Sequence, residues 1–154
     1  MQVMRRINII CMGSMKEDYF KKALLEYIKR LSGEFRVDIV EIKEGRSLDE
    51  EADKILRRLD GLGKSVFKIV LDREGTQLSS EKFADILYGE KAINAQCIAF
   101  IIGSSYGLAQ KVKEGADFKL SFSDMTFPHE LFRVMLAEQI YRAYMIQNGR
   151  TYHK

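Results

Sequence analysis

Apolar positions along the chain switch between two periods. Ile7-Asn8-Ile9-Ile10-Cys11-Met12 is a short, nearly unbroken apolar run stopped by Gly13, the pattern of a buried strand. Tyr19, Phe20, Ala23, Leu24, Tyr27, Ile28 and Leu31 then recur at spacings of one, three and four. That spacing predicts one face of an amphipathic helix, ended by Gly33. Phe35, Val37 and Ile39 alternate with polar residues as a second strand, and Lys43 to Arg46 form a polar link. Ser47-Leu48-Asp49-Glu50 has capping-box spacing, and Ile55, Leu56 and Leu59 continue a helix behind it. Val66 to Leu71 is a third strand. A polar loop, Asp72 to Leu78, leads to a short helix around Phe83 and Leu87. Cys97 to Ile102 is almost wholly apolar, which predicts a strand in the middle of a parallel sheet. A turn and a short helix precede a fifth strand at Phe118, Leu120 and Phe122. Pro128, the only proline, opens the first turn of a last helix that runs to about Gln147 and stops at Asn148-Gly149.

Strands and helices alternating in this way define an α/β fold, a mostly parallel sheet flanked by helices. The 154 residues suit one domain, residues 1–154, with no visible repeat or linker. With 46% hydrophobic residues the chain can bury a core, yet no apolar run approaches the roughly eighteen residues of a membrane span. The N-terminal arginines and apolar run read as a first strand, because no small-residue cleavage site follows them. Cys11 and Cys97 sit inside apolar runs and read as buried thiols, which fits a reducing, cytoplasmic setting. A net charge of +3 permits a nucleic-acid partner without requiring one, since acids and bases are interspersed.

In an open parallel sheet, ligands sit outside the carboxyl ends of the strands. Three loops lie there. Leu71-Asp72-Arg73-Glu74-Gly75 also reads as a charged, solvated turn. Gly103-Ser104-Ser105-Tyr106-Gly107 lets the backbone approach a ligand, or is an ordinary strand-to-helix turn. It is neither a dinucleotide fingerprint nor a phosphate-binding loop. The third is the stretch from Leu120 to His129, which mixes apolar residues with hydroxyls. Met125 and Phe127 are unusual in a solvated loop; they fold into the core or line an apolar pocket. Two histidines and two cysteines, far apart, offer no metal-ligand spacing.

Four strings are more specific. They are Gly103 to Gly107, Leu120-Ser121-Phe122-Ser123-Asp124-Met125-Thr126-Phe127-Pro128-His129, Leu136-Ala137-Glu138-Gln139-Ile140-Tyr141-Arg142-Ala143, and Tyr152-His153-Lys154. Together they strongly resemble the ribosomal large-subunit pseudouridine methyltransferase H family of the SPOUT superfamily. The likeness extends to Ile9 to Gly13, Tyr27 to Leu31, and Leu71-Asp72 with Gly75. The family usually has a second glycine and a proline where this chain has Ser104 and Ser105.

The resemblance implies a C-terminal trefoil knot, a feature too rare to be read from periodicity. It implies S-adenosyl-L-methionine bound by Leu71, Gly103, Ser104, Gly107 and the segment Phe122, Ser123, Asp124, Met125, Thr126 and Phe127. It implies methylation of N3 of a pseudouridine in large-subunit (23S) ribosomal RNA, a homodimer, and a chain end that completes the neighbouring subunit's site. His153 is the candidate base or RNA contact, with a disordered chain end as the plainer reading. Tyr152 stacks on the base or docks on the core. Arg142 serves the reaction near the base, or forms a surface ion pair with Glu138 one turn earlier. His129, Arg133, Arg150 and Lys154 are candidate RNA contacts. His129 equally suits a loop carbonyl, and Arg133 a partner subunit. A non-catalytic RNA- or ribosome-binding protein is the rival reading, with Ser104-Ser105 as its one hint. A generic nucleotide-binding protein is disfavoured, because there is no phosphate cradle.

Overall fold

The computed structural model describes Met4 to Tyr152. Its elements are β1 (Arg5–Met12), α1 (Asp18–Leu31), β2 (Phe35–Ile42), α2 (Leu48–Asp60), β3 (Val66–Gln77), α3 (Ser80–Leu87), α4 (Glu90–Asn94), β4 (Cys97–Ile102), α5 (Gln110–Glu114), β5 (Phe118–Ser121) and α6 (His129–Gln147). The five strands form one sheet in the order β2-β1-β4-β3-β5, and every pairing is parallel. The α/β reading holds throughout.

Side-chain alternation divides the core between two faces. Ile7, Ile9 and Cys11 of β1 pack with Phe100 and Ile102 of β4 against the buried faces of α1, α3 and α6. Ile10, Met12, Ala99 and Ile101 point the other way, toward Ala52, Ile55 and Leu59 of α2 and Val112 of α5. β4 is buried at every position, which is why its sequence shows no polar alternation. The connections obey the same division. The steps from β1 to β2 and from β3 to β4 run one way across the sheet and place α1, α3 and α4 on the first face. The steps from β2 to β3 and from β4 to β5 run the other way and place α2 and α5 on the second. A single handedness of crossover requires this pairing of direction with face. Cys11 and Cys97 are free and buried, as their apolar surroundings predict.

At the α2 N-terminus, the Ser47 hydroxyl accepts from the Glu50 backbone N–H at 3.1 Å. The Glu50 carboxylate reaches past the cap to accept from Arg46 N–H at 3.0 Å. Four elements differ from the sequence expectation. The run Asp72 to Gln77, read as a loop, belongs to β3. Leu71 and Thr76 both pair with Leu120, so Asp72 to Gly75 loop out and the strand then rejoins the same partner. Its charged residues gave no strand signal, because this stretch pairs on one side only. At Gly75 an added Cβ would lie 2.6 Å from the Lys119 carbonyl oxygen, so only glycine lets the two chains pass so closely. α4 was not expected, since five residues are too short to show a helical period. β5 ends at Ser121, which leaves Phe122 in the loop, and Pro128 caps α6 with His129 as its first helical residue.

No helix among the described residues is long and apolar enough to cross a membrane.

Candidate cofactor pocket

The loops that follow β3, β4 and β5 converge on one cavity of about 130 Å³. Leu71, Gly103, Ser104 and Gly107 line it from the first two loops. Phe122, Ser123, Met125 and Thr126 line it from the third. Asp124 and Phe127 do not reach the wall. Asp124 is exposed, and Phe127 stands edge-on behind Phe132 at 5.5 Å between ring centroids. Sequence reasoning missed Asp72, Arg73, Ile102, Leu120 and Phe132 as wall residues. Ile102 and Leu120 could have been found, because each is a last or near-last apolar residue of its strand. Phe132 could not, because it enters from α6, four residues beyond the loop.

Each loop is held locally. In the first, the Asp72 carboxylate accepts from the Glu74 backbone N–H at 3.2 Å and pairs with Lys113 of α5 at 3.2 Å, with its side chain 10% exposed. Asp72 is therefore not part of a merely solvated turn. In the second, Ser104 and Gly107 form an isolated antiparallel bridge, and Gly107 N–H donates to the Ser104 carbonyl at 2.8 Å. An added Cβ at Gly103 would stand 2.7 Å from the Gly107 carbonyl carbon. The turn closes on itself only because Gly103 has no side chain. In the third, the Ser123 hydroxyl accepts from Met125 N–H at 3.0 Å, and Ser121 Oγ donates to the Ser123 carbonyl at 3.3 Å. These bonds turn the chain sharply after β5 and leave Met125 71% exposed at the rim.

His129 sits on the wall of this cavity and also lines a second, open groove at the carboxyl ends of β1 and β2. Arg133, one turn on, is placed differently from the RNA contact expected of it. It is 1% exposed. Its guanidinium pairs with Glu41 at 2.8 Å and donates to the Gly13 carbonyl at 2.8 Å and the Met12 carbonyl at 3.2 Å. It thus ties α6 to the ends of β1 and β2 rather than facing solvent. Glu130 adds to the same junction by accepting from Lys16 and Glu17 N–H, bonds that hold its carboxyl below the usual range.

Tyr152 folds back on α6 of its own chain. Arg142 donates from Nε and Nη2 to Glu138 Oε1, at 3.0 and 2.6 Å. Its guanidinium also lies 4.8 Å from the centre of the Tyr152 ring. Tyr152 donates its hydroxyl to Glu138 Oε1 at 3.0 Å and packs edge-on against Tyr141. Desolvation, then the hydrogen bond to Glu138, pushes its phenol up to about 12. Arg150 is exposed, with its guanidinium 5.8 Å from the Tyr144 ring centre. His153 and Lys154 lie outside the described residues. Glu138 also lines a separate cavity of about 350 Å³ between α3 and α6. Tyr152 and Arg142 therefore gather beside that cavity, and neither lines the strand-end pocket of the same chain. Among the described residues, no group of three or more His, Cys, Asp or Glu is placed to hold a metal.

This architecture is shared with known proteins. A probable methylase family protein from Haemophilus influenzae Rd KW20 superposes with a TM-score of 0.60 at 12% identity, covering 96% of this chain and 70% of that one. The A. aeolicus TrmH/SpoU tRNA modifying enzyme gives 0.50 at 8% identity, covering 93% and 77%. At such identities the likeness is one of fold. The family model described as "Predicted SPOUT methyltransferase" matches residues 4–153. The ribosomal RNA large subunit methyltransferase H of Caldicellulosiruptor bescii is 49% identical, over 96% of this chain and 99% of its own length. That of Caldicellulosiruptor saccharolyticus is 44% identical with the same coverage, and that of Clostridium botulinum (strain Loch Maree) 41%. The chain belongs to the SPOUT methyltransferases, and within them to the ribosomal RNA large subunit methyltransferase H family. Membership makes S-adenosyl-L-methionine the methyl donor.

Proposed function

We propose that this chain methylates N3 of a pseudouridine in large-subunit ribosomal RNA on the assembled ribosome, and that it works in the cytoplasm as a homodimer with a knotted C-terminal region. The observation that carries the reading is the convergence of three strand-end loops on one cavity, in a chain 49% identical to an enzyme named for ribosomal RNA methylation.

The pocket suits the donor chemically. Leu71, Phe122 and Met125 offer apolar surface for a planar base, and the tight turn from Gly103 to Gly107 brings backbone polar groups close to it. When bound, S-adenosyl-L-methionine supplies a methyl group on a good, neutral leaving group. What remains for the protein is alignment and release of the N3 proton. His153 is the residue with the right proton affinity to take it. Arg142 stabilises negative charge on the ring. Tyr152 stays a neutral phenol at physiological pH, which suits stacking and hydrogen bonding rather than proton removal. Arg142 and Tyr152 stand apart from their own chain's pocket, which supports a site completed by the partner's tail. The rival non-catalytic reading needs the Ser104-Ser105 substitution to close the pocket, yet the cavity persists at that turn.

Transfer of labelled methyl to unmodified ribosomes, isolated subunits and naked RNA, with the site mapped, tests the reading. Label should appear at one pseudouridine of the large-subunit RNA in assembled particles. Equal transfer to naked RNA would remove the assembled-ribosome requirement, and no detectable binding of S-adenosyl-L-methionine would remove the enzyme reading.

A further inference from the structure

Glu51 is a charged side chain in the core that the methyl-transfer reading does not use. It lies in the first turn of α2 and is 5% exposed. Its two oxygens have different partners. Oε1 accepts from the Gly45 backbone N–H at 3.2 Å, in the link between β2 and α2. Oε2 accepts from the Ser104 hydroxyl at 3.0 Å, across a sequence separation of 53 residues. Ser104 is 3% exposed and belongs to the cofactor cavity, whereas Glu51 is not on the cavity wall.

Burying a carboxylate is costly unless its oxygens are satisfied. Here the α2 N-terminus offsets part of that cost through its dipole. Gly45 packs so closely that an added Cβ would lie 3.2 Å from Glu51 Cγ. The carboxylate is thus fixed from the α2 side, and its second oxygen meets Ser104. On its other side, the turn is closed by the Ser104–Gly107 bridge and the crowding at Gly103. We propose that Glu51 is a positioning residue for the cofactor: by accepting the Ser104 hydroxyl, it sets the backbone of the turn Gly103 to Gly107 in its ligand-binding shape before the cofactor arrives. This rests on the reading that the strand-end cavity binds S-adenosyl-L-methionine.

The test is calorimetric titration of the full-length chain with S-adenosyl-L-methionine and with its demethylated product, alongside thermal melting. Glu51→Ala and Ser104→Ala should each weaken both ligands by about tenfold, the scale of one lost hydrogen bond to a charged group. The double variant should be no weaker than Glu51→Ala alone, because both changes remove one interaction. Glu51→Gln, which keeps an acceptor for Gly45 and a polar group for Ser104, should recover affinity to within about threefold of wild type. A purely structural role would lower the melting temperature of Glu51→Ala without this coupling or rescue. If Glu51→Ala fails to fold, Ser104→Ala and Glu51→Gln still decide, since Ser104→Ala must weaken binding while Glu51→Gln does not. Unchanged affinities in folded variants of a wild type that binds would overturn the inference alone. No binding by the wild type would overturn the cofactor reading and the inference with it.

Discussion

Gly103 shows how one residue sets the shape of the pocket. Its missing side chain lets the chain double back onto the Gly107 carbonyl. Gly103→Ala should push these segments apart, destabilising the fold by about 1–3 kcal/mol. The same shift should remove most affinity for S-adenosyl-L-methionine. Denaturant titration and ligand binding check the two effects separately, and an unchanged affinity would mean that the turn does not hold the cofactor. Arg133 makes the contrasting case. Its position one turn into α6 suggests a contact to RNA or to a partner subunit, because sequence shows charge but not direction. Buried on Glu41 and two carbonyls, it should instead cost about 3 kcal/mol when replaced by alanine, the low end for a broken buried pair because Glu41 keeps some water. Urea unfolding of R133A measures this. A variant as stable as wild type, yet weaker on RNA, would restore the original reading.

At the scale of elements, periodicity made nearly all the strands and helices legible. Ile7 to Met12 and Cys97 to Ile102 are strands because each lies buried on both faces, and burial is what an apolar run records. What was hidden is what depends on pairing rather than on burial. The return of β3 at Thr76 is specified by its partner Leu120, and Asp72 to Gly75 carry only loop-like charge. The pocket was legible as three strand ends, since a parallel sheet places its loops there. Its walls from α6 were not, since Phe132 arrives through tertiary packing. The tail adds a titration argument. The folded phenol of Tyr152 stands near 12 against an ordinary value of 10.0. Its docking on Glu138 therefore contributes fully below pH 10 and is lost as pH rises through about 12. The pH profile of methyl transfer around neutrality should keep its midpoint in Tyr152→Phe, while the maximal rate falls. A profile midpoint that moves with the substitution would show that Tyr152 takes the proton after all. Ultraviolet difference titration against the wild type should remove a phenol that ionises late.

For the whole molecule, the question is where one complete site resides. The pocket residues lie at the ends of β3, β4 and β5, whereas Arg142 and Tyr152 gather beside Glu138 of α6. A chain working alone would keep its cofactor apart from Arg142 and Tyr152. In a two-fold dimer, the tail of each subunit can serve the other's pocket. Two inactive chains then become complementary. One ends after Gly149 and keeps its pocket; the other carries Leu71→Lys in the pocket and keeps its tail. Each should fold, since the first loses only the terminal segment after α6 and the second can extend its lysine toward solvent. Each alone should transfer methyl at least about 100-fold more slowly, the scale of a lost proton-handling group or an unusable pocket. Mixed and allowed to exchange subunits, they should regain about a quarter of wild-type activity, because half of random dimers are hybrids and each hybrid holds one intact site of two. Recovery must appear only when exchange is permitted and must track the hybrid fraction. If subunits exchange freely and the mixture stays as inactive as its parts, tail and pocket act within one chain, and the tail must leave Glu138 to reach it.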